Sequence, residues 1–218
     1  MPLAFFQNGG SVAGSGNLRG QGMMCMGVRI LNAAHFVGAV KVLIGNRELA
    51  RGLCYGQVSD YTKVGAGFRS VSVISEETGE ELLCETMPFY GGRRMVLVLY
   101  NTMNGMILIP MEECICGEGR ERACLRAANF SYGEEFDLAL ADGERVFSNL
   151  MQGRVTSFLP ALPGEYDFSI CKSAKMQEEK LTEEKCINLN IVSGVSYTIC
   201  ILGSGNKETP FTIKVLEF

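Results

Sequence analysis

A single histidine, His35, stands in a chain of 218 residues, and the usual reaction centres are missing around it. No Gly-x-Ser-x-Gly elbow, no phosphate-cradling glycine loop followed by lysine and no His-Glu-x-x-His pair occurs. Glu80, Glu81 and Glu85 lie beside a turn and a strand, with no spacing that sets a general acid against a general base. Only a cysteine is left as a nucleophile, and none has a nameable base nearby. The expectation is a protein that is not an enzyme, with no catalytic, cofactor-binding or metal-binding residues. A basic excess is missing too. Lys and Arg number 20 against 24 Asp and Glu, a net charge of −4, which argues against a phosphate-backbone ligand and so against nucleic acid. The cations are scattered, Arg93-Arg94 and Arg120/Arg122 being the close pairs. Long apolar runs are also absent. Met95–Tyr100 and Met106–Pro110 are strand-sized, far short of the ~20 residues that span a bilayer. Met1–Met26 lacks the basic start and apolar core of a secretory signal. These absences predict synthesis in the cytoplasm without a signal peptide and no membrane contact; action on a spore or cell surface would need another route out.

What is present is repetition. Ala33-Ala34-His35-Phe36 returns as Ala127-Ala128-Asn129-Phe130, and each copy is followed by alternating apolar runs and glycine turns. That pattern is a duplicated folding unit of about 100 residues, large enough to bury a core of its own. On this alignment Asn129 is the partner of His35, so the histidine reads as a turn residue. The elements are almost wholly β, with the charged stretch Gln177–Lys185 read as a solvated hairpin extension or two helical turns. Val28–Leu31, Val40–Ile44, Phe68–Ile74, Leu82–Met87, Met95–Tyr100 and Met106–Ile109 make the first set. Cys124–Asn129, Phe136–Leu140, Tyr166–Ile170, Ile187–Val192, Val195–Leu202 and Phe211–Leu216 make the second. Gly45-Asn46, Asn104-Gly105 and Asp142-Gly143 supply hairpin turns. The prediction is all-β: two tandem antiparallel β-sandwich modules, immunoglobulin-like or transthyretin-like. An N-terminal glycine-rich arm would take residues 1–26, module 1 residues 27–111, a linker 112–121, and module 2 residues 122–218.

Tyr55-Gly56-Gln57-Val58-Ser59-Asp60-Tyr61, followed by Gly65-Ala66-Gly67-Phe68, carries a resemblance. With the strands of Val28–Val73 it resembles the bacterial domain of unknown function 4397. The second copy is looser, with Gln152–Phe158 and Pro163-Gly164-Glu165-Tyr166 in those places. Both copies lack the Ser-Pro-Asp-Ala-Pro turn usual in that family after its first strand. The resemblance extends over residues 27–218. It implies the sandwich fold, tandem pairing on bacterial surfaces and, for forms without a signal peptide, spore-forming Firmicutes. It implies no activity.

Three features are candidate functional residues. Tyr55, Ser59, Asp60 and Tyr61 read either as a structural corner with both tyrosines packed inward, or as an aromatic-and-acid cradle for a glycan or peptide. Nine cysteines, an odd number, leave at least one unpaired within the chain. Most read as small buried apolar residues, while Cys114, Cys116, Cys124 and Cys25 are candidate cross-link thiols between molecules. As a zinc site that set lacks paired C-x₂-C knuckles. Third, Leu3, Phe5 and Phe6 on a Gly/Ser-rich tether suit an arm that adds to a neighbour's sheet edge, or a leader without a role. The expected function is a structural, self-associating protein forming a homo-oligomer or fibre through that arm and its sheet edges, as in a spore envelope, appendage or surface layer. The alternative is a carbohydrate- or peptide-binding adhesin module using loops at one end of a sandwich.

Overall fold

A computed structural model of the chain describes residues 25–113, 121–173 and 183–218. The arm residues Leu3, Phe5 and Phe6, together with Cys114 and Cys116, lie outside the described residues. Among the described residues the elements are strands only. Module 1 contains β1 (Cys25–Asn32), β2 (Val40–Ile44), β3 (Arg47–Leu53), β4 (Thr62–Gly65), β5 (Gly67–Ser75), β6 (Glu81–Phe89), β7 (Arg94–Thr102) and β8 (Gly105–Glu113). Module 2 contains β9 (Ala123–Asn129), β10 (Phe136–Leu140), β11 (Arg145–Leu150), β12 (Leu159–Ala161), β13 (Gly164–Lys172), β14 (Glu183–Ile191), β15 (Ser196–Leu202) and β16 (Thr212–Glu217). β1 therefore starts within the segment expected as arm.

Each module is a sandwich of two four-stranded sheets, ordered β4-β1-β7-β8 over β3-β2-β5-β6 and β12-β9-β15-β16 over β11-β10-β13-β14. The two orders match strand for strand. An immunoglobulin domain places its first strand with its second, fifth and fourth. Here the first strand sits between the fourth and seventh, which leaves the transthyretin-like arrangement. Pairings are antiparallel except β1 with β7 and β9 with β15, which are parallel. The cause is simple. Successive strands reverse direction, so two odd-numbered neighbours run the same way.

The strands form where the side-chain alternation allows it, and β7 shows why this chain has three apolar cores. Met95, Leu97 and Leu99 point into module 1 beside Met26, Val28, Ile30 and Phe89. Val96, Val98 and Tyr100 point the other way, into a cluster with Leu31, Ala33, Met111, Ala128, Phe130, Cys200, Leu202 and Leu216. In β15, Tyr197, Ile199 and Ile201 face the module 2 core. A strand apolar on both faces is buried on both faces. The outer faces of the two central sheets therefore meet in a dry seam that joins the modules.

The two modules contribute equivalent strands to the seam. Matched hydrogen bonds fix the equivalences. Ala33 N–H bonds to the Leu99 carbonyl as Phe130 N–H bonds to Ile201, and Gly56 N–H bonds to Asn32 as Gly153 N–H bonds to Asn129. On that register Leu31 corresponds to Ala128, Ala33 to Phe130, Val98 to Cys200, and Tyr100 to Leu202. Leu31 is thus exchanged for Ala128 and Ala33 for Phe130, and the Tyr100 and Phe130 rings meet across the seam at 5.6 Å. Gln152 Nε2 donates to the Asn101 carbonyl at 2.8 Å. A Cβ on Gly153 would lie 2.5 Å from the Tyr100 hydroxyl, so only glycine lets that ring approach.

The same register corrects the sequence alignment. Asn129 is the counterpart of Asn32, not of His35, whose counterpart is Tyr132. Identical letters are offset here from identical hydrogen bonds. Gly52 (φ 61°) and Asn149 (φ 52°) hold matching left-handed positions beside the β2–β3 and β10–β11 bulges. Glycine, and asparagine more readily than other side chains, take that conformation.

Candidate functional site

The Tyr55–Tyr61 segment crosses β1 antiparallel, so its two tyrosines reach opposite ends of the molecule and form no shared cradle. The middle of the segment is a clasp. Ser59 Oγ accepts from Ile30 N–H at 3.0 Å and donates to the Asp60 carbonyl at 3.0 Å. Thr156 does the same for Ala127 and Ser157 in module 2. Asp60 is exposed.

Tyr55 sits at the upper end of the seam with His35, Phe36 and Tyr132. His35 lies 5.6 Å from Tyr132 and 6.4 Å from Tyr55, ring centre to ring centre. Neither ring nitrogen of His35 nor the Tyr55 hydroxyl has a hydrogen-bond partner in the structure. Burial pushes the Tyr55 hydroxyl up to about 12 and lowers His35 below its ordinary 6.5. The sign follows from the neutral ring being the one the seam accepts. The His35 contribution is whole above pH 6.5 and is lost as pH falls through the depressed folded value. Thermal melts from pH 7.5 to 5 should show the wild type losing stability over that window, with His35→Gln flattening the slope; parallel curves would show that His35 does not couple to folding.

Tyr61 sits at the lower end, where the ends of β4, β6 and β8 meet the starts of β1, β5 and β7. Its hydroxyl donates to Glu113, which also pairs with Arg29. Its ring carries Arg29 at 4.7 Å and Arg94 at 5.3 Å. Desolvation by burial, then the Glu113 hydrogen bond, raises its hydroxyl well above the usual tyrosine value. Arg29 with Tyr61 is part of the fold, because Arg126 stacks on Phe158 at 4.3 Å in the matching place. Arg94 also stacks on Phe218 across the seam at 5.0 Å.

Around this end lie four adjoining clefts. One of 650 Å³ is lined by Cys25, Met26, Gly27, Tyr61, Thr62, Lys63, Gly92, Arg93 and Arg94. A second, of 580 Å³, lies between Phe68, Pro88, Tyr90 and Arg93. A third, of 350 Å³, runs between the β2–β3 turn and β4, with Arg47, Lys63 and Arg69 about an apolar floor of Ile44, Leu49 and Val64. A fourth, of 580 Å³, is lined by Arg93, Arg94, Glu112, Glu113 and Phe218. Phe68 is 76% exposed and Tyr90 55%. Five cations thus gather on a chain of net charge −4. Of these, Arg93 alone has an ion pair among the described residues, with Glu112 at 2.8 Å; Glu113 is spent on Arg29 and Tyr61, and Glu48 of the third cleft on Arg51. Module 2 has the same scaffold without these residues. By register, Pro160 replaces Lys63, Glu165 replaces Phe68 and Ser196 replaces Arg94. The fold does not require them. Sequence reading found Tyr61 and Cys25 here; the adjacent Arg93-Arg94 pair was the signal for the rest.

The thiols divide by place. Cys25, Cys54, Cys84 and Cys186 are exposed, while Cys171 and Cys200 are buried. Desolvation raises the Cys200 thiol in the seam to about 12, which leaves it inert. Cys124 is disulfide-bonded, so it does not offer the free sulfur that a cross-link between molecules was expected to use. Among the described residues no group of three His, Cys, Asp or Glu is placed to hold a metal, and no helix is long and apolar enough to cross a membrane.

The profile of a domain of unknown function, DUF4397, matches residues 26–139, more than half of the chain. The chain belongs to the DUF4397 family. The match runs from β1 past the end of module 1 and into β10. No curated protein matches the sequence. Among solved structures, the crystal structure of CBMbc (family CBM26) from Eubacterium rectale Amy13K in complex with maltoheptaose is similar at 12% identity. The similarity covers 87% of this chain and 96% of that one, with a TM-score of 0.27.

Proposed function

We propose that this DUF4397 protein is a non-catalytic recognition protein, in which the lower end of module 1 contacts a glycan or peptide and module 2 braces it. The observation that supports this is the concentration of exposed aromatic rings and cations around adjoining clefts at one end, on a scaffold whose other copy lacks them. Ring faces and charged tips are what binding surfaces add to a stable frame. Module 2 is read as a second copy of the family unit, on the strength of its matching strand order. Glycan and peptide arrays probed with the full chain test the proposal. A ligand class should be captured, and Phe68→Ala with Tyr90→Ala should weaken capture about tenfold or more. Capture that is absent, or indifferent to both changes, would overturn it.

A second reading, assembly into an envelope or appendage, draws on the open edges β6 and β14. Each carries an exposed cysteine opposite an equivalent serine, Cys84 across from Ser72 and Cys186 across from Ser169. Exposed edges invite pairing between copies. Sedimentation over a concentration series, with and without reductant, separates the readings: a growing, reductant-sensitive species favours assembly, and a constant monomer favours recognition alone.

A further inference from the structure

We propose that the cleft between the start of β1, β4 and the β6–β7 turn binds an acidic glycan, with Lys63 and Arg94 taking its carboxylates. This rests on the lower end of module 1 being a recognition surface, and it names the ligand class. The charge argument comes first. Neither Lys63 nor Arg94 makes an ion pair among the described residues: Glu113, opposite Arg94 on β8, is held by Arg29 and Tyr61, and Glu112 is held by Arg93. Arg94 is also held in place. Its guanidinium lies against the rings of both Tyr61 and Phe218, which leaves its edge for a planar anion at little ordering cost. None of the residues lining this cleft is acidic.

The paired floor of the cleft favours side-chain contacts with a sugar over strand addition by a peptide. β1 is paired on both sides along the cleft, with β4 and β7. Gly92 N–H bonds to the Cys25 carbonyl and Gly27 N–H to the Arg93 carbonyl. β1 therefore offers no free edge to an extended peptide, and β4 alone keeps an open edge beside the cleft, so recognition across the cleft floor runs through side chains. Arg93 lines both this cleft and the neighbouring one, which offers the exposed faces of Phe68 and Tyr90. Flat rings beside cations suit pyranose faces flanked by carboxylates.

Titration of the full chain with oligogalacturonate, a neutral maltooligosaccharide of equal length and poly-glutamate tests this. Oligogalacturonate should bind at least about tenfold more tightly than the other two, and more weakly as salt rises. Lys63→Gln and Arg94→Gln should each reduce its affinity about tenfold. Lys63 is exposed and makes no ring contact, so its variant isolates charge even if Arg94→Gln loosens the Tyr61 and Phe218 stack. Equal binding of the neutral oligomer overturns the acidic class. Tighter binding of poly-glutamate replaces glycan by acidic peptide, and indifference to both substitutions overturns the cleft. Should neutral sugar bind and still depend on Phe68 and Tyr90, the surface stands as a recognition site and only the acidic ligand falls.

Discussion

Replacing Val98 with aspartate should split one unfolding transition into two. Val98 is fully buried in β7 and faces the seam, opposite the strand face that fills the module 1 core. The wild type should unfold as one cooperative unit, because the third core ties the sandwiches together and neither apolar sheet face can be exposed cheaply. An unpaired charge placed there costs several kcal/mol, about 3–5 by analogy with stranded buried charges. Each module keeps its own core, so the loss falls on the union and not on either sandwich. Calorimetry should resolve two peaks, and an apolar dye should bind the newly wetted faces at temperatures where the wild type binds none. Val98→Ala is the control. It deletes two methyl groups, costs about 2 kcal/mol and should leave a single transition. One undivided peak for Val98→Asp, at the wild-type temperature, would show that the seam carries no coupling.

That seam was written in the sequence. The apolar run Met95–Tyr100, and Tyr197–Leu202 with Thr198 as its one polar residue, lack the wet alternate positions of a one-sided strand, and each lies central in its sheet with both faces covered. Reading them only as strand-sized, and not as two-faced, is what left the modules as separate beads. The strands carrying no sequence signal, β3, β4, β11 and β12, are all edges. Arg47–Leu53 has charges in place of branched residues, and Leu159–Ala161 is three residues long with a proline inside it. These are the devices that keep an edge from pairing with another chain, and they erase the β pattern as they do so.

The candidate site was legible only in fragments. Tyr61 stood out through its motif, but Lys63, Phe68, Tyr90 and Arg94 become neighbours only through the pairing of β1 with β4 and β7 and of β5 with β6. Nothing local marks that convergence. The repeat misled in the opposite sense. Ala-Ala-x-Phe recurs by letter, yet the hydrogen bonds repeat from Asn32 and Asn129. The buried amide, not the small-residue run, is the fixed point of the fold.

Those two asparagines make the last test, and the larger loss should fall on module 2. Both are fully buried. Asn32 Nδ2 donates to the Leu53 carbonyl at 2.9 Å, and its Oδ1 accepts from Ala34 N–H at 3.0 Å. Asn129 makes the same two bonds, to Leu150 at 2.6 Å and from Ser131 N–H at 2.9 Å. It adds a donation to the Glu134 carbonyl at 2.9 Å and accepts the Ser131 hydroxyl. Each amide thus ties the end of the first strand of its module to the third, across the bulge. Truncation to alanine removes the bonds and strands backbone groups that water reaches poorly, at about 1 kcal/mol for each bond. Asn32→Ala should therefore cost about 2 kcal/mol and Asn129→Ala about 4, a large share of the 5–15 kcal/mol that a domain commonly has. Chemical denaturation of both variants gives the ratio. Equal losses would mean that the Glu134 and Ser131 hydroxyl contacts add nothing. A smaller loss for Asn129 would mean that module 2 relaxes around the gap, and that the brace belongs to module 1 alone.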